Sequence, residues 1–148
     1  MSLQARLSLE LKSAMLSKDS DRLSTLRLLK SAIGYTQLER QTDTLSDADF
    51  VAVVQKELKK RRDSIEQYEK GSRPELAAKE KNEIPILESF LPQPLSPAEL
   101  EQLIKMTIQE LAATSKKDMG PVIKAVQAKA AGRADGRTIS AAVGKLLP

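Results

Sequence analysis

Apolar residues recur along this chain every three to four positions, and no run alternates as a strand would. Leu3, Leu7, Leu11 and Ala14 with Met15 stripe a first predicted helix. Leu23, Leu26, Leu29 and Ile33 stripe a second, which fades after Leu38 into the polar "ERQTDT". Ser46 suits the N-cap of a third, with Asp47 and Asp49 in a first turn where the helix dipole favours negative charge. Val51, Val54, Leu58, Ile65 and Tyr68 form its stripe, and Gly71 is expected to end it. A fourth follows Ser72, with Pro74 in its first turn and Leu76, Ile84, Leu87 and Leu91 facing inward. Pro85 lies within that pattern and should kink or divide it, because proline lacks the N–H that a helix interior uses.

"LPQPLSP" then places three prolines within seven residues, which reads as a stiff connector. Beyond it the period predicts three shorter helices. The first runs from about Pro97 to Ala113, the second starts near Asp118 or Gly120, and the third starts at about Asp135. The expected architecture is all-α. A helical bundle of about four helices spans residues 1–92, a proline-rich joint 93–96, and a small three-helix domain 97–148.

The chain has no cysteine and no histidine, which excludes disulfides, thiol nucleophiles, Cys/His zinc sites and a Ser-His-Asp triad. "GRADGR" lacks the glycine spacing and the preceding strand of a phosphate-cradling loop. No catalytic, metal or cofactor residue is assigned, and a stand-alone enzyme is not expected. A third reading keeps only lysines and carboxylates for chemistry. No apolar run approaches the roughly 18 residues of a membrane span, and no signal-like block opens the chain. A soluble cytoplasmic protein without membrane contact is the expectation.

The net charge of +4 is unevenly placed. From Lys116 onward seven Lys/Arg stand against two acids, whereas the preceding residues carry 17 against 18. Such an imbalance points to a polyanionic partner. Asp118 and Asp135 stand where helix N-caps are needed, so their carboxylates should serve backbone N–H groups. Lys124, Lys129, Arg133, Arg137 and Lys145 then have few local acids to answer them, and they are the candidate nucleic-acid-binding residues. Gly132 suits a helix C′ position, so the turn between Arg133 and Arg137 has a structural explanation as well as a phosphate-binding one. The only aromatics are Tyr35, Phe50, Tyr68 and Phe90, so the tail offers no base-stacking platform and any RNA contact should be to a folded backbone.

The basic run "KELKKRRDSIEQYEKG" reads differently, since Glu57–Arg61, Lys59–Asp63, Arg62–Glu66 and Glu66–Lys70 are spaced as solvated helix pairs. Arg61 also falls on the Leu58–Ile65 stripe, where Glu80 or Glu83 of the fourth helix would be its natural partner.

Three segments carry a resemblance: "RLSTLRLLKSAI", "KELKKRRDSIEQYEKGSRPELAAKEKNEIPILESFLPQPLS" and "DMGPVIKAV…GRADGRTISAAV". Over nearly its whole length the chain resembles the YqeY family (GatB/YqeY domain proteins). Pro85 and Ile139-Ser140 vary the usual pattern without disturbing the match. The resemblance implies that residues 97–148 are similar to the tail of GatB, the amidotransferase subunit acting on misacylated tRNA, where the tail contacts the tRNA body. It also implies an association with carbon–nitrogen ligase activity using glutamine as amide donor. The kinase-like body and the amidase partner of that enzyme have no counterpart in these residues. The expected function is binding of tRNA or another structured RNA. The alternative is a helical adaptor that docks a protein partner of a translation-related assembly through the N-terminal bundle.

Overall fold

The computed structural model describes residues 1–148. Seven α-helices form: α1 Leu3–Leu16, α2 Ser20–Arg40, α3 Asp47–Lys70, α4 Pro74–Glu88, α5 Pro97–Glu110, α6 Met119–Ala130 and α7 Gly136–Leu146. A single 3₁₀ turn, Lys116–Asp118, leads into α6, and there is no strand. The fold is all-α, as the 3.6-residue period requires.

Two compact units result, Met1–Leu91 and Pro92–Pro148. In the first, α3 and α4 pack closely as an antiparallel pair against α2, and α1 covers α2. Its core gathers Leu7, Leu26, Leu29, Phe50, Leu58 and Leu87, among others. Phe50 opens α3 and Phe90 follows α4; their ring centroids lie 5.7 Å apart, in the tilted geometry that aromatic quadrupoles prefer. The Arg6 guanidinium sits 4.6 Å above the Phe90 ring. In the second unit, α5, α6 and α7 enclose Leu100, Ile104, Val122, Val126, Ile139 and Val143. Residues 93–96 lie with this unit: Leu95 packs on its core, and the Leu95 N–H donates to the Arg133 carbonyl at 2.8 Å.

Helix starts follow the side chains. Ser46 accepts from the Asp49 N–H, Ser96 from the Glu99 N–H and Asp135 from the Thr138 N–H, each satisfying an orphan donor of a first turn. Several boundaries differ from expectation. Pro85 does not divide α4, which runs on to Glu88; the lost N–H lies in the last turn, where fewer bonds depend on it. Helix α5 stops at Glu110, short of Ala113, as Ala112 turns left-handed and the Ala113 N–H returns to the Ile108 carbonyl at 3.0 Å. The Asp118 side chain does not cap α6; it completes a capping box on the 3₁₀ turn, accepting from the N–H groups of Thr114 and Ser115 at 3.0 and 3.3 Å. Gly71 closes α3 at negative φ, and Ser72 takes the left-handed turn.

After α6 the left-handed region holds Ala131 (φ 47°) as well as Gly132 (φ 88°). Alanine there brings Cβ against the carbonyl oxygen, at about 1–2 kcal/mol. Ala131 is exposed, so replacement loses no packing. Ala131→Gly is expected to stabilise the second unit by about 0.5–1 kcal/mol after the unfolded-state entropy of glycine is set against the relief. Chemical denaturation of the full chain measures it; a loss of stability would show that the turn carries no strain.

Candidate nucleic-acid interface and a polar cleft

The five cations singled out in the tail separate into two groups. Lys129, near the end of α6, is turned toward α5: its ammonium donates to Thr107 Oγ1 at 3.2 Å and pairs with the Glu110 carboxylate. Arg133, in the turn after α6, donates from Nε to the Gln93 carbonyl at 2.8 Å and lies 3.5 Å from Glu99. Both tie segments of the unit together: few local acids stand near them in sequence, but acids distant along the chain answer them. Pairing residues 19 and 34 positions away is invisible to a local charge count.

Lys124, Arg137 and Lys145 are exposed. Lys124 lies midway along α6, Arg137 in the first turn of α7 and Lys145 in its last. The two α7 cations are about 12 Å apart along the axis and about 80° apart around it. No one helix face gathers all five. Lys116 and Lys117 in the 3₁₀ turn, counted in the charge imbalance but not among the five candidates, are exposed as well. The two acids of this stretch are engaged as their sequence positions suggest: Asp118 accepts two backbone N–H bonds and Asp135 one at 2.7 Å.

A second polar constellation lies in the first unit. Arg61 is only 6% exposed on α3, and α4 supplies Glu83 at 2.9 Å from Nε. One turn earlier on α3, Glu57 reaches Arg61 Nη1 at 3.2 Å. The Glu57–Arg61 spacing reads as a solvated pair, but burial of Arg61 makes Glu57 its second counter-charge. Beside them opens a cleft of about 430 Å³, lined by Leu28, Arg61, Tyr68, Leu76, Glu80 and Glu83 among others. Glu80 has no ion pair there. Burial pushes its carboxyl above the usual range, the charge of Glu83 adds to this, and Arg61 and Lys79 oppose it. No group of side chains in the chain has an arrangement able to hold a metal ion.

A family model described as "Yqey-like protein" matches residues 4–147. Among curated proteins the chain is similar to an uncharacterized protein of Schizosaccharomyces pombe, at 38% identity over 62% of this chain and 73% of that protein. It is also similar to proteins named "Altered inheritance of mitochondria protein 41, mitochondrial". The one from Lachancea thermotolerans is 34% identical over 72% of this chain and 58% of that protein. The one from Kluyveromyces lactis is 33% identical over 91% of this chain and 70% of that protein. These names overturn the cytoplasmic expectation, for the relatives whose names state a compartment are mitochondrial. That expectation came from charge and hydropathy, and neither carries an organelle address.

Two outcomes follow from the Arg61 geometry. Removing one partner leaves a buried charge uncompensated, so Glu83→Ala should cost about 3–5 kcal/mol, whereas Arg61→Met, which continues the apolar stripe, should cost distinctly less. Equal, small losses in urea denaturation would show that the pair is solvated. For Glu80 the folded protein holds its proton more tightly than the unfolded chain does. Ionisation therefore opposes folding, and stability is gained as pH falls through the folded value. Glu80→Gln should raise Tm at about pH 7 and lose that advantage by about pH 4; a Tm difference independent of pH would contradict this.

Proposed function

The chain belongs to the YqeY family, and from that membership and the exposed cations of residues 116–148 we propose that it binds structured RNA, tRNA first, through phosphate contacts. One observation carries this reading. In that stretch both acids accept from backbone N–H groups, while Lys116, Lys117, Lys124 and Lys145 stand exposed. A surface so arranged attracts a polyanion from solution and releases its counterions on binding. All four aromatics lie in the first unit, so the second presents no ring for an unstacked base. Backbone shape is what such a surface reads.

The likeness of residues 97–148 to the GatB tail makes tRNA the polyanion to test. Its link to glutamine-dependent carbon–nitrogen ligation is one of association with such an enzyme. Catalysis is not assigned to this chain, whose tail brings no general base and nucleophile together.

In this reading exposure decides which residues carry the binding. Lys124, Arg137 and Lys145, with Lys116 and Lys117, are the phosphate contacts; Lys129 and Arg133 hold the unit together. Filter binding of bulk tRNA at two salt concentrations tests this division. The triple variant Lys124→Ala/Arg137→Ala/Lys145→Ala should weaken binding alike for every tRNA, and the log–log salt slope should flatten by roughly 0.7–0.9 for each phosphate no longer neutralised. Arg133→Ala should instead lower stability by about 1 kcal/mol, since its carbonyl bond is charge-assisted but half-exposed. A triple variant that binds tRNA like the parent would overturn the reading.

A further inference from the structure

The first unit has an unpartnered face. On α2 the residues Ser24, Leu28, Ser31, Tyr35 and Leu38 follow one another at spacings of four and three, the seam period of helix–helix packing. They occupy about 80° of the helix surface over about 21 Å. This stripe lies opposite the buried face of Leu26, Leu29 and Ile33. Leu28 is 51% exposed, Tyr35 71% and Leu38 77%. Two large aliphatic side chains and an aromatic in one line are more than scattered surface hydrophobicity. Ser24 and Leu28 also line the cleft beside Arg61, so the stripe runs into it.

Charge distinguishes the occupant. At the cleft end, Glu57, Glu80 and Glu83 face one buried cation, Arg61, which pairs with Glu57 and Glu83. At the rim Lys60 answers Glu57 at 3.3 Å, and Lys79 acts on Glu80 from beyond ion-pair distance. Glu80 is left without an ion pair, against an apolar wall of Leu76 and Tyr68. A second copy of α2 matches this poorly. Arg27 and Lys30 flank the seam on one side, and Asp21 and Glu39 on the other. An antiparallel copy would set like edges together. A parallel one would leave Asp21 about 9 Å, and Glu39 about 13 Å, out of step with the nearest cation.

We propose that the α2 stripe and the adjoining cleft form a docking groove for an amphipathic helix of a partner protein. Its apolar residues pack along Leu28, Tyr35 and Leu38, and a lysine or arginine at the end over Leu28 reaches Glu80. The apolar seam supplies affinity, and the cleft carboxylate sets direction and selectivity. This surface belongs to the first unit and the cationic tail to the second.

Two fluorescein-labelled helical peptides test it against the full chain by fluorescence anisotropy. Both carry leucines at seam spacing; one has lysine at the end and the other glutamate at the same position. The lysine peptide should bind about tenfold more tightly. Tyr35→Ser/Leu38→Ser should weaken both peptides by about tenfold with helix content and Tm retained, since both residues are exposed. Glu80→Gln should remove the preference for lysine while leaving the glutamate peptide no weaker. Three results would each overturn the proposal. They are no saturable binding up to about 100 µM, binding unaffected by the Tyr35/Leu38 double variant, or a lysine preference that survives Glu80→Gln. Sedimentation adds a fourth: a dimer of the parent chain abolished by Tyr35→Ser/Leu38→Ser would assign the stripe to a second copy.

Discussion

Small size without covalent staples governs both halves of this protein. The chain has no cysteine and no metal-holding cluster, and the unit from Pro92 to Pro148 closes on Leu100, Ile104, Val122, Val126, Ala130, Ile139, Val143 and Leu147. A domain of about that length buries only about 60% of the surface its unfolded chain exposes, leaving little margin over conformational entropy. Charged side chains are therefore drawn into holding helices together. Lys129 bridges α6 to α5 through Thr107 and Glu110, and Arg133 fastens the chain at Gln93 to the α6–α7 turn. Arg61 does the same between α3 and α4 under deeper burial. Such latches are directional where an apolar contact is not.

That constraint explains what was legible in the sequence and what was not. The helices were, because their apolar spacing is local, and so were the caps at Ser46 and Asp135, whose side chains reach only three residues. An acid of the fourth helix as partner of Arg61 was legible, because a cation on an apolar stripe needs one on the facing helix, but only the fold chooses Glu83 over Glu80. The role of Glu57 was not legible: its spacing from Arg61 is the same whether the pair is solvated or buried, and only the tertiary fold decides. The partners of Lys129 and Arg133 were hidden for the same reason. Helix ends suffered from a rule that looks for glycine. Ser72, Ala112 and Ala131 take left-handed turns, as packing on either side overrides local preference. The cleft at Glu80 could not be foreseen at all, since it depends on how α2 approaches the α3–α4 pair.

The same constraint sorts surface charge by purpose. A cation with a tertiary partner explains itself by stability, so its positive charge says little about ligands. On the second unit stability accounts for Lys129 and Arg133, though both still add to the long-range field. On the first, the paired residues of the cleft hold α3 to α4, while Glu80 has no ion pair and burial, only partly offset by Arg61 and Lys79, disfavours its charge. Ligand contacts are best sought among groups that the fold holds at a cost.

The two arginines flanking the Asp135–Gly136 turn sit in different surroundings. Arg133 bonds a carbonyl and lies near an acid, and the turn would loosen without it. Arg137 sits exposed in the first turn of α7, where the helix dipole disfavours positive charge by a few tenths of a kcal/mol. Lys145, in the last turn of the same helix, is where the dipole favours a cation, so the fold alone accounts for it. The Asp135 carboxylate caps the start of that same helix, accepting from the Thr138 N–H, and its negative charge offsets the dipole there. An exposed cation in a first turn is tolerated where the N-cap itself supplies the anion.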